Sequence, residues 1–283
     1  MATGMPPTLR QRRLGSELRK MRERAGLSST AAAAHVGVQQ ARMSMIEAGR
    51  YAVSADRVRA LAHTYACDDT DLVEALAAMT GGRGRAWWDE YRELLPAALV
   101  EVAEFEHHAT ALRVAVVVAM PGLLQTLDHV RASLRQDVPA LRPHEIEHWA
   151  SFRIKRQAVL YREPETTYTA IVHEAALRMG VGGPEVKRRQ LEHLILMGER
   201  SNVKVLVVPF ERADFPISGQ PISYASGPVP QLDTVLLDSD HGCDLLDAEA
   251  KLARYRCVLD RMEACALSSG KSRDFIRRVV RST

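Results

Sequence analysis

Apolar residues recur at helical spacing through the first eighty positions. In "RQRRLGSELRKMRERAGLS", Leu14, Leu18, Met21 and Ala25 fall at i, i+4, i+7 and i+11, with Arg and Lys on the remaining faces. This is the pattern of an amphipathic helix, and Gly26 ends it. Ser28 then offers an N-cap to a short helix through "TAAAAHV", Gly37 marks a turn, and a third helix is expected from about Gln39 to Ala48, closed by Gly49. Val38, Met43 and Ile46 share its inward side. A fourth helix starts at Ser54 with Val58, Leu61, Ala62 and Tyr65 inward. "DDTDLVEALAAM" gives a fifth, with Leu72, Val73 and Leu76 inward.

Past residue 80 the pattern changes. "TGGRGRAWW" reads as a linker, because closely spaced glycines discourage regular structure. "WWDEYRELLPAALVEVAEFEHHATAL" is helical in pattern, and the β-branched run "RVAVVVAM" is a buried strand. Further helices are expected at about 121–135, 143–161, 184–200, 247–266 and 270–281. Further strands are expected at 166–172, 203–208, about 220–225 and 233–238. The predicted organisation is a five-helix domain over 8–79, a Gly-rich linker at 80–86, and a mixed α+β domain over 87–283.

Composition narrows the class. With 46% hydrophobic and 26% charged residues, the chain can bury a core and is not a disordered tail. No apolar run reaches the roughly 18 to 20 residues of a membrane span, and "MATGMPPTLRQRR" has no apolar stretch of signal-peptide type. A cytoplasmic protein without membrane contact is expected. Cys67, Cys243, Cys257 and Cys265 are scattered and form no C-x-x-C pair, so free thiols are expected. The net charge of +3 hides an asymmetry. The first fifty residues hold nine Lys and Arg against three acids, a net +6, so the rest of the chain carries −3. An anionic partner for the N-terminal domain follows.

The third helix, within "GVQQARMSMIEAGR" (37–50), carries the candidate chemistry. Two short helices separated by a tight glycine turn form a helix-turn-helix, in which the second lies in the major groove while the first braces it. Gln40, Ala41, Arg42, Ser44 and Met45 face away from the inward side. Gln can bond adenine N6 and N7, and Arg can bond guanine O6 and N7.

"LRKMRERAGLSSTAAAAHVGVQQARMSMIEAGR" resembles the Cro/phage-repressor (XRE) type of helix-turn-helix domain, over about residues 10–76. By position the resemblance implies base contacts from Gln39, Gln40, Ala41, Arg42 and Met45, and phosphate contacts from Ser28, Ser29, Ser44 and Arg50. It also implies an ion pair between Arg22 and Glu47. The sequence departs from that pattern at Ser29, Ala32, Gln39 and Met45, with fewer polar base contacts as the consequence. A homodimer on a pseudo-palindromic double-stranded operator is the expected remedy.

A second resemblance covers most of the remainder. "WWDEYRELLP", "EFEHHATAL", "VVAMPGLLQT", "RIKRQAVL", the "HEAALRM" to "QLEHL" stretch, "NVKVLVVPF" and "CALSSGKSRDFI" occur in the order seen in the domain that follows an XRE domain in actinobacterial WhiJ-like, toxin–antitoxin-like regulators. The resemblance implies a transcription regulator whose C-terminal domain responds to a small acidic partner protein or a small-molecule effector. It supplies no catalytic residue and no cofactor, and no enzyme activity is expected.

Two alternatives remain open from the residues. "HEIEH" (144–148) satisfies H-E-x-x-H, in which His144 and His148 would hold zinc and Glu145 would activate its water. Pro143 places that motif in a helix's first turn, which favours a surface helix start instead. His107, His108, His173 and Glu174 have no metal or nucleophile spacing around them. "GGPEV" lacks the phosphate-loop pattern, and Pro184 reads as a first-turn proline. The other alternative is an antitoxin-like protein whose main task is to bind a small partner.

Overall fold

The computed structural model describes residues 7–81, 86–216, 220–239 and 242–283. Of the linker expected at 80–86, residues 82–85 lie outside these. The chain divides into two units, Met1–Trp87 with Pro228–Leu232, and Trp88–Gly227 with Asp233–Thr283.

The first unit holds α1 (Leu9–Arg24), α2 (Ser29–His35), α3 (Gln40–Glu47), α4 (Ala55–Thr64) and α5 (Thr70–Ala78). Most of these helices begin on a side chain that accepts an otherwise unpaired N–H. Ser28 Oγ accepts from Ala31 N at 3.1 Å, Ser54 Oγ from Arg57 N at 3.3 Å, and Asp69 Oδ1 from Leu72 N at 3.0 Å. At α1, Thr8 and Gln11 cap one another reciprocally. The exception is α3, whose N-cap Gln39 makes no such bond.

Leu14, Leu18, Met21, Met43, Ile46, Val58, Leu61, Tyr65, Leu72 and Leu76 form the buried core, with Val38 packed at its margin. Ala25, expected inward, is instead the exposed C-cap of α1. The helix ends one residue early, because Gly26 turns the chain at φ +69°. Residues 228–232 belong to this unit although they are distant in sequence. Leu232 is buried in the same core, Arg13 donates to the Gln231 carbonyl, and Gln231 Nε2 donates to Asp69 Oδ2 at 2.8 Å.

The second unit is built on a mixed sheet of order β3-β2-β1-β4-β5-β6. It comprises α6 (Ala97–His108), β1 (Ala111–Val116), α7 (Leu127–Leu134), α8 (Pro143–Arg156), β2 (Thr167–His173), α9 (Glu174–Arg178) and α10 (Gly183–Met197). It continues through β3 (Val203–Val208), β4 (Ile222–Ser226), β5 (Thr234–Ser239), β6 (Gly242–Leu246), α11 (Glu249–Cys265) and α12 (Ser269–Arg281). β1, β2 and β3 run parallel, while β4, β5 and β6 pair antiparallel.

The run "VKVLVV" in β3 is almost continuously buried, as expected of a parallel strand covered on both faces. α11 places Leu252, Leu259 and Met262 against Ala115, Ile171, Val208, Ile222 and Val235. β3 is an edge strand, and α12 covers its free side. Ser272 Oγ accepts from Val207 N at 2.9 Å, and Leu267 N donates to Val207 O at 2.8 Å.

Helices expected as continuous are interrupted. The segment from 87 is a 3-10 turn, Trp87–Tyr91, and α6 starts only after Pro96. That proline cannot donate to a preceding turn. The stretch 121–135 is a 3-10 turn, Gly122–Leu124, followed by α7 capped by Thr126. α8 gives way at Gln157 to a 3-10 turn.

Candidate nucleic-acid interface

α3 is fastened from behind. Met43 and Ile46 are buried in the core, and the Tyr65 hydroxyl, whose pKa burial pushes up to about 12, donates to Met43 Sδ at 3.8 Å. Arg22 of α1 reaches the end of α3, where Nε meets Glu47 Oε1 at 2.6 Å and Nη2 meets Oε2 at 2.9 Å. Its third nitrogen, Nη1, donates to the Leu27 carbonyl at 2.7 Å. The hydrogen bonds to Glu47 are the main cause holding the Arg22 pKa above its ordinary value. Such a two-point pair fixes direction as well as distance. α1 also approaches α3 more closely than a side chain allows. A Cβ on Gly15 would lie 2.5 Å from the Glu47 carbonyl oxygen, and one on Gly49 would lie 2.7 Å from the Gln11 carbonyl oxygen. Gly49 has φ +70° besides, so only glycine suits that turn.

With Met43 and Ile46 inward, the opposite face of α3 is open to solvent. Gln39, Gln40, Ala41, Arg42, Ser44 and Met45 are all exposed, as is Arg50 just beyond. Met45 is 42% exposed, a large apolar side chain on an outer face. Gln40 Nε2 donates to Ser44 Oγ at 3.0 Å and Ser29 Oγ at 3.4 Å. These bonds join three of the expected DNA-contacting side chains, one on α2 and two on α3. Ser28 is committed as the cap of α2. Arg42 stands apart from Gln40, its guanidinium carbon 4.2 Å from the centre of the Tyr51 ring.

The exposed face is polar and cationic without internal neutralisation. Arg42 and Arg50 pair with no carboxylate among the described residues. Arg19 pairs with Glu23 and Arg59 with Glu74, on other surfaces of the same unit. Tyr51 and Gly15 were not legible as site residues. A tyrosine after a helix end has no spacing signal, and a glycine inside an amphipathic helix reads as a mild defect unless its neighbour is known.

The zinc alternative finds no support in the geometry. His144 and His148 lie at the start of α8 with ring centres 6.1 Å apart. Glu145, which would have to activate water, instead accepts from Arg142 N and from its guanidinium, each at 2.7 Å. Those bonds hold its carboxyl down at about 2. Glu147 is paired with Arg131. Among the described residues, no group of three or more His, Cys, Asp or Glu is arranged to hold a metal ion. His173 caps α9 by accepting from Ala175 N, and Glu174 is buried, bonded to Arg178 and to Phe210 N. Trp88 and Tyr91 are buried, and Tyr91 bonds Ser151 at 3.0 Å. No helix among the described residues is long and apolar enough to cross a membrane.

Two known families match separate parts of the chain. Residues 13–76 match the family described as a helix-turn-helix domain, the stretch from Arg13 within α1 to Leu76 within α5. Residues 99–278 match the family described as a domain of unknown function, DUF5753. No curated protein and no solved structure matches the chain. The DUF5753 match takes in more than half of the sequence, and the chain therefore belongs to the DUF5753 family, preceded here by a helix-turn-helix domain.

Proposed function

We propose that the protein is a sequence-specific DNA-binding transcription regulator of the Cro/phage-repressor type, acting as a homodimer on a two-fold operator. One observation carries the reading. α3 turns Gln40, Ala41, Arg42, Ser44 and Met45 to solvent while Met43, Ile46 and the Arg22–Glu47 pair lock its other side. A helix held this way can enter a major groove without reorganising. Gln40 and Arg42 would choose bases, while Ser29, Ser44 and Arg50 would meet phosphates. The net +6 of the first fifty residues supports the same partner.

The DUF5753 domain serves in this reading as the receiver of a signal, whether a small acidic protein or a small molecule, as in the WhiJ-like, toxin–antitoxin-like regulators that the sequence resembles.

Fluorescence anisotropy on the upstream region of its own gene, against a shuffled duplex of equal composition at two salt concentrations, tests the assignment. The expected result is a preference of about 10³-fold or more for the native duplex, with affinity falling as salt rises. Equal weak binding to both duplexes, unchanged on adding a co-encoded small acidic protein, would contradict it.

A further inference from the structure

Tyr51 lies outside every element, yet its position is closely determined. The chain reverses at Gly49, and both Arg50 N and Tyr51 N then donate to the Met45 carbonyl, at 2.8 and 3.2 Å. These bonds tie the loop back onto α3 and bring the phenol ring beside the helix. There it meets Arg42, whose guanidinium carbon is 4.2 Å from the ring centre. Tyr51 is itself 37% exposed, so the stack sits on the open surface beside the face described above.

What holds Arg42 differs from what holds its neighbours. Arg19, Arg22 and Arg59 each grip a carboxylate, and Arg57 donates to the Val36 carbonyl. The Arg42 guanidinium makes no hydrogen bond to a described residue, and it lies against the Tyr51 ring instead. A stacked guanidinium has its plane fixed while the N–H donors around its rim stay free. A bidentate contact needs that combination, because both donors must lie in the plane of two acceptors. On a major-groove edge, the neighbouring acceptor pair is guanine O6 and N7.

We propose that Tyr51 is a positioning residue that presents Arg42 to a guanine, so that selection of a guanine in each half-site depends on Tyr51 as well as on Arg42. This rests on the DNA-reading assignment above. The aromatic face does the positioning, and the hydroxyl is dispensable.

The test is selection of binding sites from a random duplex pool by the full chain, comparing the wild type with Arg42→Ala, Tyr51→Ala and Tyr51→Phe. The wild type is expected to recover a consensus containing a guanine whose enrichment vanishes in Arg42→Ala. Tyr51→Phe should keep that enrichment. Tyr51→Ala should lower it roughly two- to fivefold, the scale of an exposed cation–π contact, with the rest of the consensus unchanged. A wild type that recovers no consensus would overturn the DNA-reading assignment itself. A consensus whose guanine enrichment is undiminished in Tyr51→Ala would overturn only the role given to Tyr51. So would equal, sequence-independent weakening in Tyr51→Ala and Tyr51→Phe, which would assign the hydroxyl to the phosphate backbone.

Discussion

Removing the carboxylate of Glu47 would leave the Arg22 guanidinium, only 10% exposed at its side chain, with the Leu27 carbonyl and the half-exposed Glu23 carboxylate at 3.7 Å as its partners. Breaking one side of such a pair costs about 3 kcal/mol or more, because the remaining charge stays buried. Glu47→Ala should therefore lower the thermal midpoint of the helical unit sharply, as read by circular dichroism. Restoring bulk on both sides, in Arg22→Met with Glu47→Leu, should recover most of the stability. A second single residue has a pH signature. His129 is 6% exposed and its Nδ1 has no hydrogen-bond partner among the described residues, and burial, followed by the charge of Arg153, lowers its pKa to about 4. The unfolded chain takes up this proton near 6.5 and the folded chain does so only near 4. The stability contributed is thus complete above pH 6.5 and is lost as pH falls toward 4, by about 3 kcal/mol in all. Urea midpoints at pH 7 and pH 4.5 should differ less in His129→Leu than in the wild type.

At the scale of elements, the helical domain was largely legible and the sheet domain only in outline. α1, α2, α4 and α5 each carry a cap signal and an apolar face, so local chemistry and tertiary packing point the same way there. The ion pair of Arg22 with Glu47 could be placed only through family resemblance, because its partners are distant in sequence. β6 escaped notice because "GCDLL" is a short edge strand whose meaning comes from pairing with β5. α9 is too brief to show a period. Residues 228–232 gave no sign of belonging to the first unit, since a core contribution from a remote loop has no local pattern. Ser272 likewise reads as an ordinary helix-start serine, yet it is fully buried and meets the outer edge of β3. Ser272→Ala leaves Val207 N unpaired in a buried position, so a loss of about 1–3 kcal/mol is expected. Hydrogen exchange should show it as faster exchange confined to Val207 and its neighbours.

At the scale of the whole molecule, the charge distribution, the open face of α3 and the helix-turn-helix match over residues 13–76 favour a DNA-binding regulator that works through its N-terminal unit. The helix presents few polar base readers, with Ala41 and Met45 among the exposed positions, so a single domain would discriminate modestly. Two copies on half-sites one helical turn apart, about 34–36 Å, would double the contacts. Light scattering of the full chain on a selected operator should then give two chains per duplex. Under the receiver role proposed for the DUF5753 domain, the affinity of that complex should change on adding a co-encoded partner or a small molecule. The central claim is that the exposed face of α3 chooses the sequence, and one titration addresses it directly. The wild type and the Gln40→Ala, Arg42→Ala double variant are each titrated against the specific and shuffled duplexes at one salt concentration. The account predicts that the double variant keeps its weak, salt-dependent binding to both duplexes and loses most of the roughly 10³-fold preference of the wild type. An undiminished preference in the double variant would mean that the sequence is read elsewhere, and α3 would be a scaffold only.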